Sequence, residues 1–161
     1  MNKSLKLILT ITLATVFSCG GNDKKKEESA YGKKAPVKTE KKVVASERVE
    51  LSNKGVGPIT SITLGAEIDK DMAAHGMDVY GKMCTACHKV DKKFIGPAPT
   101  GILERRSPEW VMNMILNPEE MTKKDPLAKD LLMEFNGAPM ANQGLSEEDA
   151  RAVLEYFRTL K

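Results

Sequence analysis

An all-α fold is what this 161-residue sequence predicts for its C-terminal part, on three observations. Four stretches pair a capping side chain with apolar residues at helical spacing. Two of them open with proline at the first helical position, where its missing N–H costs nothing. After residue 66 no run alternates apolar and polar residues as a half-buried hairpin would. The first helix starts behind Asp69 or Asp71 and carries Ala73, Met77, Tyr80 and Cys84 along one face. Ser107-Pro108-Glu109 opens the second, which runs from Trp110 to Leu116 and stops at Asn117-Pro118. Asp125-Pro126 repeats that grammar for Leu127 to Phe135, closed by Asn136-Gly137. Ser146 caps the last, whose acidic first turn suits a helix N-terminus and whose apolar positions are Ala150, Val153, Leu154 and Phe157.

What precedes residue 67 reads differently. Lys3 and Lys6 lead an apolar run from Leu7 to Phe17, well short of the ~20 residues a spanning helix needs and laid out like a secretory signal. Its end, Val16-Phe17-Ser18-Cys19, resembles a bacterial lipoprotein lipobox, which implies lipidation of Cys19; ordinary cleavage leaving Cys19 free, or an uncleaved anchor, are the alternatives. Residues 20 to about 47 are rich in Lys, Glu, Gly and Ser, too poor in apolar side chains to offset the entropy of ordering. Val49, Leu51, Val56, Ile59, Ile62 and Leu64 then form a strip that could dock on the helices. The expected organisation is a signal peptide at 1–18, a lipidated cysteine with a flexible tether at 19–66, and one helical domain at 67–161. Residues 23–50 hold nine basic and six acidic side chains, residues 67–161 thirteen and sixteen. With 25 basic and 22 acidic side chains in all, a formal +3, the charge is too balanced to point to nucleic acid as a partner, though it divides into a basic tail and a mildly acidic body.

Three cysteines rule out a simple disulfide framework. Two lie in Cys84-Thr85-Ala86-Cys87-His88, at the end of the first helix. This C-x-x-C-H spacing lets two thiols reach the vinyl groups of neighbouring haem pyrroles and puts an imidazole under the iron. A structural zinc site would need a fourth ligand, for which only His75 offers itself. A thioredoxin-like pair would need a βαβ setting, which the sequence lacks. Covalent haem is the reading that stands.

With that motif in place, residues 68–161 resemble a small bacterial class I cytochrome c. Gly76, Tyr80 and Cys84 match the family's first helix, and Val153, Tyr156 and Phe157 its partner positions on the last. The resemblance implies a class I cytochrome c fold of about four helices around one covalent haem c, with a close helix crossing at Gly76. It also implies that the Pro97 carbonyl, in Gly96-Pro97, orients the His88 imidazole, and that Arg105, Arg106 and Trp110 lie near the haem propionates. The axial methionine it implies is Met140, in Ala138-Pro139-Met140 before the final helix. Met112 and Met114 fit core packing, while Met121, read in a loop, and Met133, on a helix, are rivals. His75 fits a surface residue. The stretch Ile102 to Phe135 is longer than in the shortest class I proteins. Its Arg-Arg-Ser-Pro-Glu-Trp and Asn-Pro-Glu-Glu-Met segments are similar to lipoprotein cytochromes accompanying nitrous oxide reductase or other respiratory reductases.

His/Met ligation would fill both axial sites, leaving none for substrate and stabilising the reduced state. The expected function is a non-enzymatic electron carrier. The chain would be a monomer, exported and membrane-anchored through its lipid, facing the periplasm or cell exterior. Its partners would be a redox donor and a terminal reductase or oxidase of a respiratory chain. Docking is expected at the haem edge beside Lys82, Lys89, Lys92, Lys93 and the Met140 loop. The alternative is a small peroxidase-like haem enzyme with a labile sixth ligand.

Overall fold

The computed structural model describes residues 43–161, so the expected signal peptide, Cys19 and the first part of the tether lie outside the described residues. Five α-helices follow one another: α1 Lys70–Met83, α2 Pro108–Leu116, α3 Pro118–Lys124, α4 Pro126–Glu134 and α5 Glu147–Phe157. A 3-10 turn spans Ile102–Glu104, and an isolated bridge between Glu50 and Arg106 is the only β-type pairing among the described residues. The fold is all-α.

Each expected cap is made. Asp69 accepts the N–H groups of Asp71 and Met72, Ser107 that of Trp110, Asp125 that of Ala128, and Ser146 that of Asp149. These side chains satisfy first-turn donors that have no partner within their helices. At the end of α4, Asn136 takes a left-handed φ of 58° and the Gly137 N–H returns 2.8 Å to the Leu132 carbonyl. That bond closes the helix and turns the chain toward residue 138.

α1 and α5 cross at Gly76. A Cβ there would sit 1.9 Å from the carbonyl oxygen of Ala152, so only hydrogen fits. Tyr80 packs beside the crossing, its ring 5.5 Å from Tyr156 and 5.7 Å from Phe157. The start of α1 is held from α5 by Glu155, fully buried, which accepts the Asp69 N–H at 2.9 Å. Arg151 and Arg158 flank that carboxylate at 2.6 and 2.5 Å, and Arg158 reaches on to the carbonyls of Gly65 and Glu67.

Two expectations change. Asn117-Pro118 ends α2 but also begins α3, because proline at the first position of a new helix forfeits nothing. Met121, expected in a loop, is therefore helical and fully buried, its Sδ accepting the Val56 N–H. Residues 43–47, read as flexible tether, and the strip after them, left open to dock, form a strap laid against the helices. Ala45 and Ile59 join the core, with Val56, Ile62 and Leu64 packed on its margin. Polar side chains from the helices hold its backbone. Asn113 bonds the N–H and carbonyl of Ile59 and the carbonyl of Lys54 at 2.9 Å each, and Arg106 donates to the carbonyls of Ala45 and Arg48. Ser46 is clamped by both oxygens of Glu134. An extended segment with few partners of its own is ordered because the helices supply its missing hydrogen bonds.

Candidate functional site

Cys84 terminates α1, its N–H still bonded to Tyr80, and the next turn brings the N–H groups of Cys87 and His88 to the Cys84 carbonyl. Cys84, Cys87 and His88 thus fall together on one wall of an apolar cleft. Burial, then the neighbouring Cys87, pushes the Cys84 thiol up to about 11. Burial also lifts Tyr80 to about 12, and its hydroxyl donates to the His88 carbonyl, tying the motif to α1.

The imidazole is held by the loop after it. His88 Nδ1 lies 2.8 Å from the carbonyl oxygen of Pro97, which can only accept, so Nδ1 carries the proton and Nε2 keeps its lone pair. Gly96 lets that loop lie flat on the ring, since a Cβ would come within 2.4 Å of Cε1. The Gly96-Pro97 pair thus places its carbonyl at the His88 ring.

The rest of the cleft comes from distant segments. Met140, in the coil between α4 and α5, lines it, as do Met83 and Met114. Met114 was expected in the core, and no local signal separates its two roles. The rivals Met121 and Met133 do not line the cleft; Met133 stands exposed on α4. His75 bonds Asp149 on α5 at 2.8 Å, on the surface. No group of three or more His, Cys, Asp or Glu side chains among the described residues is placed to hold a metal ion.

Arg105 and Arg106 line the cleft side by side. Arg105 spends its terminal nitrogens on the carbonyls of Thr100 and Gly101. Arg106 is 1% exposed and bonded to carbonyls alone. Burial, then the charge of Arg105, lowers its proton affinity. Each keeps a buried Nε–H with no acceptor among the described residues. Two orphaned cationic donors in the wall of an apolar cleft fit a large flat ligand with an anionic edge, and haem with its propionates is such a group. Trp110 gives its ring to the wall and its indole N–H to the Asp125 carboxylate, 3.2 Å away and facing off the cleft. Asp125 and Asn113 escaped the sequence reading, the first hidden behind its cap signature and the second without any local signal.

The comparisons agree with this geometry. The family model for cytochrome c matches residues 73–161. A cytochrome c from Rhodothermus marinus is 40% identical over 73% of this chain and 93% of its own, with a TM-score of 0.63. An engineered form of that protein, Rma TDE, is 39% identical over 73% of this chain and 94% of its own, with a TM-score of 0.63. The same engineered protein bound to a carbene intermediate matches with a TM-score of 0.61 at the same identity and coverage. No curated protein matches the chain. A matched domain that begins within α1 and runs to Lys161, joined to a cleft walled by the C-x-x-C-H turn, places the chain in the cytochrome c family, as a class I haem electron-transfer protein that binds haem c covalently.

Proposed function

We propose that this protein is a membrane-tethered monohaem cytochrome passing single electrons from a respiratory donor to a terminal reductase or oxidase. Cys84 and Cys87 are the thioether attachments, His88 Nε2 and Met140 Sδ the axial ligands, and Arg105 and Arg106 the propionate partners. Bound there, haem supplies a one-electron iron couple, and His/Met ligation places it toward the high-potential side. The chain's own work is positional. Pro97 fixes the imidazole's tautomer and raises its basicity, Gly96 lets the loop approach, and the apolar wall keeps water out. The observation that carries the reading is the 2.8 Å bond from His88 to Pro97, which presents a ring with its ligating nitrogen free.

The test has two parts. Haem colour stays with the polypeptide after denaturation and acid–acetone extraction; colour leaving with solvent defeats the attachment. Met140→Ala abolishes the long-wavelength charge-transfer band of Met-ligated ferric haem while Met114→Ala keeps it; the converse moves the ligand to Met114. A second reading, a small peroxidase-like enzyme with a labile sixth ligand, draws on the Met140 loop. Between Ala138 and Leu145 its one side-chain bond to the helices is Asn142 to the Leu116 carbonyl, at 3.4 Å. Absence of the band in the wild-type protein favours that reading.

The tether is read from Cys19 and the basic segment behind it, and export and a position facing the periplasm or cell exterior follow from the leader. Replacing Cys19 with serine releases the cytochrome or leaves an unprocessed precursor; a mature-sized, membrane-bound variant sinks the lipid anchor.

A further inference from the structure

Three carboxylates are buried among the described residues: Glu109, Asp125 and Glu155. Glu109 faces the ammonium of Lys54 at 3.2 Å, and Glu155 is flanked by two arginines. Asp125, 4% exposed, pairs with no cation among the described residues. Its Oδ1 accepts the Ala128 N–H at 2.7 Å and the Trp110 indole N–H at 3.2 Å, and its Oδ2 accepts the Asn53 amide at 2.7 Å. Asn53 is oriented for this because its own oxygen takes the Gly55 N–H. Both oxygens therefore face only donors, the environment of an ionised carboxylate. Trp110 and Ala128, the two residues bonded to Oδ1, line the cleft, and among the described residues no acidic side chain lines the cleft itself. Across the Trp110 ring, 5.4 Å from its centroid, lies the Arg106 guanidinium.

We propose that Asp125 is a positioning residue that sets the reduction potential of this cytochrome, by placing a negative charge, with no cation in contact among the described residues, one side chain behind the haem cleft wall. The inference rests on the haem-cleft reading above. A fixed charge in low-dielectric surroundings acts over longer distances than one in water. An electron arriving in the cleft from the donor adds negative charge, which Asp125 opposes, so it favours the oxidised state and lowers the potential. Its three hydrogen bonds and the α4 N-terminus hold the charge in place without cancelling it.

The test is a spectroelectrochemical titration of the holoprotein, full chain, at neutral pH and moderate salt. Asp125→Asn keeps the shape and Asp125→Ser keeps the cap; both remove the charge, and both raise the midpoint potential. Asp130→Asn, on the same helix but half-buried and already paired with Arg48, leaves it unchanged. Mere loosening of the wall would admit water, favour the oxidised state and move the potential the other way. An Asp125→Asn potential at or below wild type overturns the proposal, as does a rise in the serine variant alone. Should neither variant retain haem, Asn53→Lys decides: it sets a cation beside the carboxylate and raises the potential, the direction that loosening cannot give, and an unchanged or lower value overturns the proposal. A wild-type protein showing no haem wave refutes the cleft reading instead.

Discussion

Gly76→Ala adds one methyl group at the place where α1 and α5 touch most closely. Its Cβ would stand 1.9 Å from the Ala152 oxygen, 2.3 Å from the Ala152 carbonyl carbon and 2.8 Å from the Val153 nitrogen. All three are backbone atoms, so no side chain can rotate away. Reaching the 3.0 Å floor for such contacts requires the helices to part by about 1.1 Å, which unpacks Tyr80 from Tyr156 and Phe157. Overpacking of this kind costs roughly 1–3 kcal/mol, and a backbone obstacle places it near the upper end. Alanine's better helix propensity returns about 1 kcal/mol, leaving a net loss of about 2 kcal/mol. Gly81 is the internal control: it lies on the same helix, and a Cβ there meets nothing within 4 Å. Gly81→Ala gains the propensity term alone, up to about 1 kcal/mol. At roughly 4 °C per kcal/mol, thermal unfolding followed by far-UV circular dichroism should show Gly76→Ala about 8 °C lower and Gly81→Ala up to about 4 °C higher. Equal midpoints for the two variants would refute the close crossing.

At Gly96 a Cβ would meet the His88 ring, so Gly96→Ala displaces the imidazole from Pro97. Altered haem-ligation spectra with retained covalent haem are the expected result, and an unaltered ferric spectrum would remove Gly96 from the site. Glu155 feels burial, which raises its pKa, but the Asp69 amide, Arg151 and Arg158 outweigh it and the net shift is downward. A depressed carboxylate stabilises the fold fully above its unfolded pKa, about 4.3, and that contribution is lost as pH falls through the lower folded value. Glu155→Gln should cost about 3–5 kcal/mol at pH 7 by leaving two arginines unpaired, and should flatten the acid limb of the stability curve. An unchanged acid limb would show that Glu155 is not the linked group. Partner docking at the haem edge should depend on Lys82 and Lys92 more than on Lys89, which donates to the Thr85 carbonyl and covers Phe94, or Lys93, which lies near Glu134 and over Phe135. Charge reversal of Lys82 and Lys92 should slow electron transfer with the native partner and reduce its salt dependence; identical rates and slopes would move docking to the apolar rim at Pro139 and Met140.

The parts of this fold that could be read in advance are the ones whose physics is local. A cap needs a side chain within three residues of the N–H it satisfies, so Asp69, Ser107, Asp125 and Ser146 announce their helices. The haem motif places two thiols and an imidazole within five positions, so it survives in the sequence whatever surrounds it. α3 stayed hidden because the Asn-Pro that stops one helix is also a proper beginning for the next, and seven residues are too few to show a period. The strap was legible only as an apolar strip that could dock, with nothing local to say where. Its apolar residues are sparse, and what orders it are polar groups fifty to ninety positions away: Arg106 to Ala45, Asn113 to Ile59, Glu134 to Ser46. Those side chains look like ordinary surface polar residues until the chain returns.

The same separation of local from distant determines what the cleft can do. Attachment is local, written in Cys84, Cys87 and His88, and it would be much the same in any member of the family. The electrostatic surroundings are not. Arg106 is buried against strap carbonyls rather than a carboxylate, and Asp125 is buried against an indole, a backbone amide and a strap asparagine rather than a cation. Two opposite charges thus stand at Trp110, one at the indole N–H and one over the ring, each held by neutral dipoles and neither in contact with the other. Burying charge this way costs stability unless every hydrogen-bonding site is filled, and for Asp125 they are filled in part by Asn53 of the strap. The strap therefore completes the electrostatic frame around the cleft as well as covering apolar surface. A segment that looks dispensable by composition is one that the potential of the buried iron should feel.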